Sequence, residues 1–115
     1  MLTNIEKTEE KKIVLTFKVP NSEFLETTYK MYLKTKDQYP VVGMETGMVP
    51  KHIIEEQYGE SIFYNDTVNF LIDKEFKNMS QTYKKYNLRR ENVEKINLLE
   101  IGKDKNLIFE LIVNF

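Results

Sequence analysis

The sequence predicts an α+β domain, a two-layer sandwich in which a four-stranded antiparallel sheet carries helices on one face. Three observations lead there. Apolar residues alternate at period two near the N-terminus (Ile13, Leu15, Phe17, Val19) and again at the C-terminus (Leu107, Phe109, Leu111, Val113, Phe115). Between these stretches the apolar spacing lengthens to steps of three and four, which lines up one face of a helix. The element order, strand-strand-helix-helix-helix-strand-strand, groups the helices between two hairpins and so implies an antiparallel sheet.

Each element has its own signal. Residues 2 to 7 form a weaker strand candidate, joined by the charged turn Glu9-Glu10-Lys11 to the clear strand over 13 to 19. Pro20 ends that strand, because proline has no N–H for the ladder. Asn21 or Ser22 is placed to cap a first helix, with Glu23 and Glu26 near its positive end. Phe24, Thr28, Met31, Tyr32, Thr35 and Tyr39 follow at helical spacing, and Pro40 stops the run by pushing its predecessor out of the α region. Pro50 suits a first helical turn. Ile53, Ile54 and Tyr58 then give a short second helix its buried side, and Gly59 breaks it. From Ser61 to Tyr86 a third helix carries the stripe Tyr64, Val68, Leu71, Ile72, Phe76, Met79, Tyr83 and Tyr86, with Asn87 as its end signal. Val93 to Ile101 is a moderate strand, 102 to 106 a hairpin loop, and 107 to 115 the cleanest alternation in the chain.

Composition narrows the function. The 115 residues fit one domain, residues 1–115, without repeats, linkers or low-complexity segments. A chain of this size buries roughly 60–70% of its unfolded surface, enough for a core without a metal or disulfide. It has no cysteine, which excludes disulfides, thiolate metal sites and cysteine nucleophiles. With 17 basic and 18 acidic side chains the net charge is −1, so the molecule as a whole has no pull toward nucleic acid or anionic lipid. No apolar run approaches the ~20 residues of a membrane span, and early charges interrupt any signal sequence. The reading is a cytoplasmic protein without a membrane partner.

Catalytic signals are weak. His52 is the only histidine, lies in the short helix without a triad around it, and reads as a surface side chain. Paired acids such as Glu55-Glu56 read as solvated helix faces. No ligand cluster for a metal stands out, and Gly43 and Gly47 match neither phosphate-binding glycine pattern. The chain is expected to be a non-enzyme with no cofactor. A basic cluster, Lys84, Lys85, Arg89 and Arg90, holds both arginines and interleaves with Tyr83 and Tyr86. It reads either as a phosphate or RNA contact patch or as cations at a helix C-terminus with the tyrosines in the core.

The more informative stretch is Val41 to Gly59, "VVGMETGMVPKHIIEEQYG". Gly43 and Gly47 bracket Met44-Glu45-Thr46, and Met48 precedes the short helix. The glycines are expected to hold positive φ. The methionines are expected either to tuck inward as flexible filler or to form a soft contact surface.

These residues, with the order of elements, resemble the N-terminal ribosome-binding domain of the bacterial trigger factor family. That family carries the signature Gly-Phe-Arg-x-Gly-Lys-x-Pro, followed by a short helix with paired isoleucines and a closing aromatic-Gly. Gly43, Gly47 and Pro50 match the signature, and Ile53, Ile54, Tyr58 and Gly59 match the helix. The resemblance extends over essentially the whole chain and implies a trigger factor ribosome-binding domain fold. It implies that the loop is the tip of a helix-loop-helix arm docking at the ribosome near the peptide exit tunnel, in a chaperone that shields nascent or unfolded polypeptide. Dimerisation through this end of the family's molecules adds a homodimer to the implied partners. The family's prolyl isomerase domain and C-terminal chaperone body do not fall within residues 1–115, so the chain reads either as a domain of a longer protein or as a single-domain relative.

The tip departs from the pattern. Where the family has Phe-Arg-x-Gly-Lys, this chain has Met44-Glu45-Thr46-Gly47-Met48, and the segment from Asp37 to Pro50 bears two acids and no base. Cations that would meet phosphate are replaced, and an acid adds repulsion. Two functions follow as expectations. One is a ribosome-associated chaperone docking domain with an altered loop, contacting through Gly43, Met44, Glu45, Thr46, Gly47 and Met48. The other is a non-ribosomal protein-binding or homodimerising module on the same scaffold.

Overall fold

The computed structural model describes residues 1–8, 11–82, 84 and 88–114. Glu9, Glu10, Tyr83, Lys85, Tyr86, Asn87 and Phe115 lie outside the described residues, and with them part of the expected charged turn, the end of the third helix and the last residue of the final strand. The elements run β1 (Leu2–Lys7), β2 (Lys12–Val19), α1 (Asn21–Thr35), α2 (Lys51–Tyr58), α3 (Tyr64–Thr82), β3 (Val93–Glu100) and β4 (Leu107–Asn114). Short 3-10 turns occupy Lys36–Gln38 and Arg90–Asn92. The chain forms two compact units, Met1–Phe24 with Leu71–Phe115, and Leu25–Phe70.

The first unit is built on the sheet. All pairings are antiparallel, in the order β1-β2-β4-β3. The central pair keeps an unbroken register from Lys12↔Asn114 to Val19↔Leu107. Its period-two pattern therefore places Ile13, Leu15, Phe17 and Val19 beside Val113, Leu111, Phe109 and Leu107 on one face, and all eight are fully buried. Phe17 and Phe109 stack at 5.0 Å between centroids, 15° from parallel, a pair worth ~0.5–1.5 kcal/mol beyond its burial. The unit's part of α3 adds a buried stripe of Leu71, Ile72, Phe76 and Met79 and lines one cleft together with Phe17 and Lys18 of β2.

Both edge strands are irregular. The register shifts between Leu2 and Asn4 in β1, and between Val93 and Lys95 and between Leu98 and Glu100 in β3. Such bulges blunt an edge against further strand pairing. Ile96 and Leu98 share the face of Leu111 and Phe109 yet stay exposed on β3.

Three expected boundaries are corrected. The first helix was expected to reach Tyr39, but α1 ends at Thr35 and a 3-10 turn takes over. The chain leaves the helix at Thr35, at φ −120, ψ 1, and before Pro40 Tyr39 stands at φ −124, ψ 80, outside the α region. The third helix was expected from Ser61, but Gly59, at φ 110, and the bonds from Ile62 N–H to Gly59 O and from Tyr64 N–H to Ser61 O make a turn that delays it to Tyr64. Asn21 or Ser22 was expected as a side-chain cap, and both lie within α1. Asn21's amide nitrogen instead donates to the carbonyls of Lys103 and Lys105, both at 2.8 Å, and its N–H donates to Asn106 Oδ1. It clamps the β3–β4 loop.

Candidate functional site

The second unit holds the loop between α1 and α2. Its core is a small cluster of Met31, Tyr32, Val49, Ile54 and Phe63, with Tyr39, Val41, Ile53 and Ile62 packed against it. The rings meet edge to face: Tyr32 and Tyr39 approach Phe63 at 5.9 and 5.5 Å, and Tyr39 approaches Tyr58 at 5.2 Å. Tyr58 was expected on the buried side of α2, but it is partly exposed. Its ring edge serves the cluster while its hydroxyl reaches out of it.

Two tyrosine hydroxyls fasten the loop at its roots. Tyr58 Oη donates to the carbonyl of Pro40 at 2.6 Å, and Tyr32 Oη donates to the buried carbonyl of Val49 at 2.7 Å. Between these anchors the backbone makes two successive β-turns. Met44 N–H donates to Val41 O at 3.1 Å, and Met48 N–H donates to Glu45 O at 3.0 Å. Gly43 and Gly47 occupy the third position of each turn with φ 87, the position where a type II turn requires positive φ and so favours glycine. They differ in surroundings. A Cβ on Gly43 would meet open space, whereas one on Gly47 would collide with the Asp37 carboxylate.

This backbone decides the open question about the methionines. Met44 is 45% exposed and Met48 70% exposed, while Val49 is fully buried and holds the loop down. Val42 is completely exposed as well, and it was absent from the expected contact residues. It holds the second position of the first turn. The tip thus presents Val42, Met44 and Met48 around the exposed Glu45 and Thr46. Helical spacing marks Tyr32 and Tyr58 only as helix-face residues, because a hydroxyl bond to a distant carbonyl leaves no trace in spacing.

The α2 helix begins without a side-chain cap. Pro50 stands at its cap position at φ −60, ψ 150, and its carbonyl receives the N–H groups of Ile53 and Ile54. Lys51 pairs with Glu55 at 3.1 Å and lies 5.9 Å from the Phe63 ring centroid, so Glu55 is not a purely solvated acid. His52 is exposed. Among the described residues no group of three or more histidines and acids could hold a metal ion.

The basic cluster is only partly in view. Lys84, Arg89 and Arg90 are exposed. Both arginines already face carboxylates, Arg90 Nε to Asp73 at 3.0 Å and Arg89 to Glu91 at 3.6 Å. Lys85 and the two interleaved tyrosines, Tyr83 and Tyr86, lie outside the described residues.

Fold and loop together define a class: a small α+β module whose helical unit presents a glycine-framed, doubly anchored loop. Known proteins resemble this chain. The family model for bacterial trigger factor protein matches residues 1–115. A trigger factor of Clostridium botulinum is 34% identical over 109 residues, which are 95% of this chain and 25% of that protein. One from Thermoanaerobacter is 31% identical over 113 residues, covering 98% of this chain and 26% of that protein. A solved structure of the trigger factor chaperone, described for its promiscuous substrate recognition in folding and assembly, superposes with a TM-score of 0.65 at 17% identity. It covers 97% of this chain and 26% of that one, and this likeness is one of fold. The chain belongs to the bacterial trigger factor family, and it spans about a quarter of the length of the curated relatives it matches.

Proposed function

We propose that this chain is a ribosome-docking domain of the trigger factor type, whose tip docks by apolar contact rather than by pairing cations with phosphate. One observation carries the reading: Val42, Met44 and Met48 stand exposed on a loop locked by two glycine turns, with Glu45 where a docking tip for RNA would place a cation. The site consists of Gly43, Met44, Glu45, Thr46, Gly47 and Met48, with Val42 added. The partner is the ribosome near the peptide exit tunnel, in the cytoplasm, and the role is to bring a chaperone to nascent or unfolded polypeptide. The reading assigns no catalytic step to these residues. Lys84, Lys85, Arg89 and Arg90 are a secondary candidate patch for phosphate, reduced by the carboxylates that face both arginines.

The test is co-sedimentation with bacterial ribosomes across a salt series. The chain itself is expected to pellet weakly and with a shallow salt dependence, because few phosphate contacts release few counterions. Replacing Glu45 by Arg and Met48 by Lys swings the tip by three charge units, and the variant is expected to bind tighter and to lose binding steeply with salt. Adding Met44→Phe should strengthen it further, since aromatic anchors tend to dominate a contact. Tight, salt-insensitive binding by the unaltered chain would show its apolar tip to be sufficient. No gain in the triple variant, with its fold intact, would remove the ribosome from the reading.

A second reading is a protein-binding or homodimerising module on the same scaffold. It is favoured by a further exposed stripe on α1, Leu25, Tyr29 and Leu33, at steps of four residues. Sedimentation equilibrium separates it: a dimer at micromolar concentration supports it, and a monomer throughout rules out the homodimer.

A further inference from the structure

We propose that Met44 and Met48 form an oxidation site through which a hydroperoxide converts the tip from an apolar to a polar surface and so releases it from its partner. The proposal rests on the docking role assigned to the tip above. The chain has no cysteine, so its oxidisable sulfur is thioether sulfur alone, in five methionines. Met31 and Met79 are only 5% and 3% exposed and belong to the two cores. Met44 and Met48 are open to solvent on one loop, four residues apart. With Val42 they make up the exposed apolar side chains of that loop, so a change in both alters most of its contact chemistry.

The scaffold favours a local effect. The backbone at the tip is fixed by its two turn hydrogen bonds and by the buried Val49, so oxygen can add to either sulfur without opening a core. In the reaction the thioether sulfur attacks the outer oxygen of the hydroperoxide. The O–O bond breaks as the S–O bond forms, and the departing oxygen takes the proton and leaves as water or alcohol. Sulfur loses two electrons and the hydroperoxide gains them. The sulfoxide oxygen is a strong hydrogen-bond acceptor, so the side chain turns from apolar to polar. Burying two such groups opposes docking, because each must give up water without a guaranteed donor. Methionine sulfoxide reductases reverse the change.

Hydrogen peroxide is the probe, applied to the full chain in a time course and read by peptide mass spectrometry. Met44 and Met48 are expected to gain oxygen several-fold faster than Met31 and Met79 while the circular dichroism spectrum is retained. Equal rates at all four, or loss of fold at the same pace, would overturn the site. Binding is read by ribosome co-sedimentation in a Glu45→Arg background, which keeps both methionines and does not depend on the weak docking of the unaltered tip. Oxidation is expected to weaken binding roughly tenfold, the scale of losing a central apolar contact, and reductase treatment to restore it. In the same background with Met44→Leu and Met48→Leu, the pelleted fraction should be identical before and after peroxide, whatever its level. Sensitivity that persists there places the effect elsewhere, as at the exposed Met1, and overturns the switch. A Glu45→Arg chain that pellets equally before and after peroxide overturns the switch alone. One that never pellets overturns the docking reading beneath it.

Discussion

The two units of this molecule reach order by different physics. The sheet unit is held by register: eight side chains from β2 and β4 close one fully buried face, and a one-residue slip would turn a strand's whole set outward. The loop unit has no sheet. It gathers a few rings around Phe63 and ties the roots of its loop with two tyrosine hydroxyls. The contrast teaches where tolerance lies. A part whose order depends on a few anchors and turn glycines leaves the exposed side chains at its tip free of structural duty.

Substitutions can break or sharpen this contrast. The largest effect is expected in the sheet unit, where Phe76→Ala removes a buried ring from the α3 stripe and should cost about 3–5 kcal/mol in denaturant melts. A loss under ~1 kcal/mol would mean that this stripe does not carry the core. Next comes the buried anchor of the loop. Tyr32→Phe leaves the Val49 carbonyl without its donor and should cost about 1–3 kcal/mol. Tyr58→Phe acts at the more exposed anchor, where water can replace the hydroxyl, and should cost under ~1 kcal/mol. Equal losses would contradict the division into a buried and an exposed root.

At the tip the glycines should rank between the two anchors and the exposed side chains below both. Alanine at Gly43 or Gly47 must adopt positive φ, a strain of about 1–2 kcal/mol. Gly47→Ala should be slightly the worse of the two, because the exposed end of the Asp37 side chain must also move aside, which Gly43→Ala does not require. Amide hydrogen exchange at Met44 and Met48 reads the loss directly, and faster exchange for Gly43→Ala than for Gly47→Ala would reverse the assignment. Thr46→Ala touches an exposed side chain and should stay within ~0.5 kcal/mol. A larger loss would show the tip to be part of the structure it projects from.

Periodicity determined the elements of this protein. Alternation at period two over 13 to 19 and 107 to 113 fixed both central strands and their buried faces, since a strand has only two sides to offer. Gly43 and Gly47 marked the turns, because only glycine enters the positive-φ region without strain. The loop's spacing from Pro50 and the short helix also carried the family resemblance. Tertiary structure alone decided the rest. Whether Met44 and Met48 pointed inward or outward depended on Val49 taking the buried place beside them, a competition among neighbours that no spacing encodes. Asn21 spans to Lys103 and Lys105, and Tyr32 to Val49, because a side-chain hydrogen bond joins residues that folding brings together, whatever their separation along the chain.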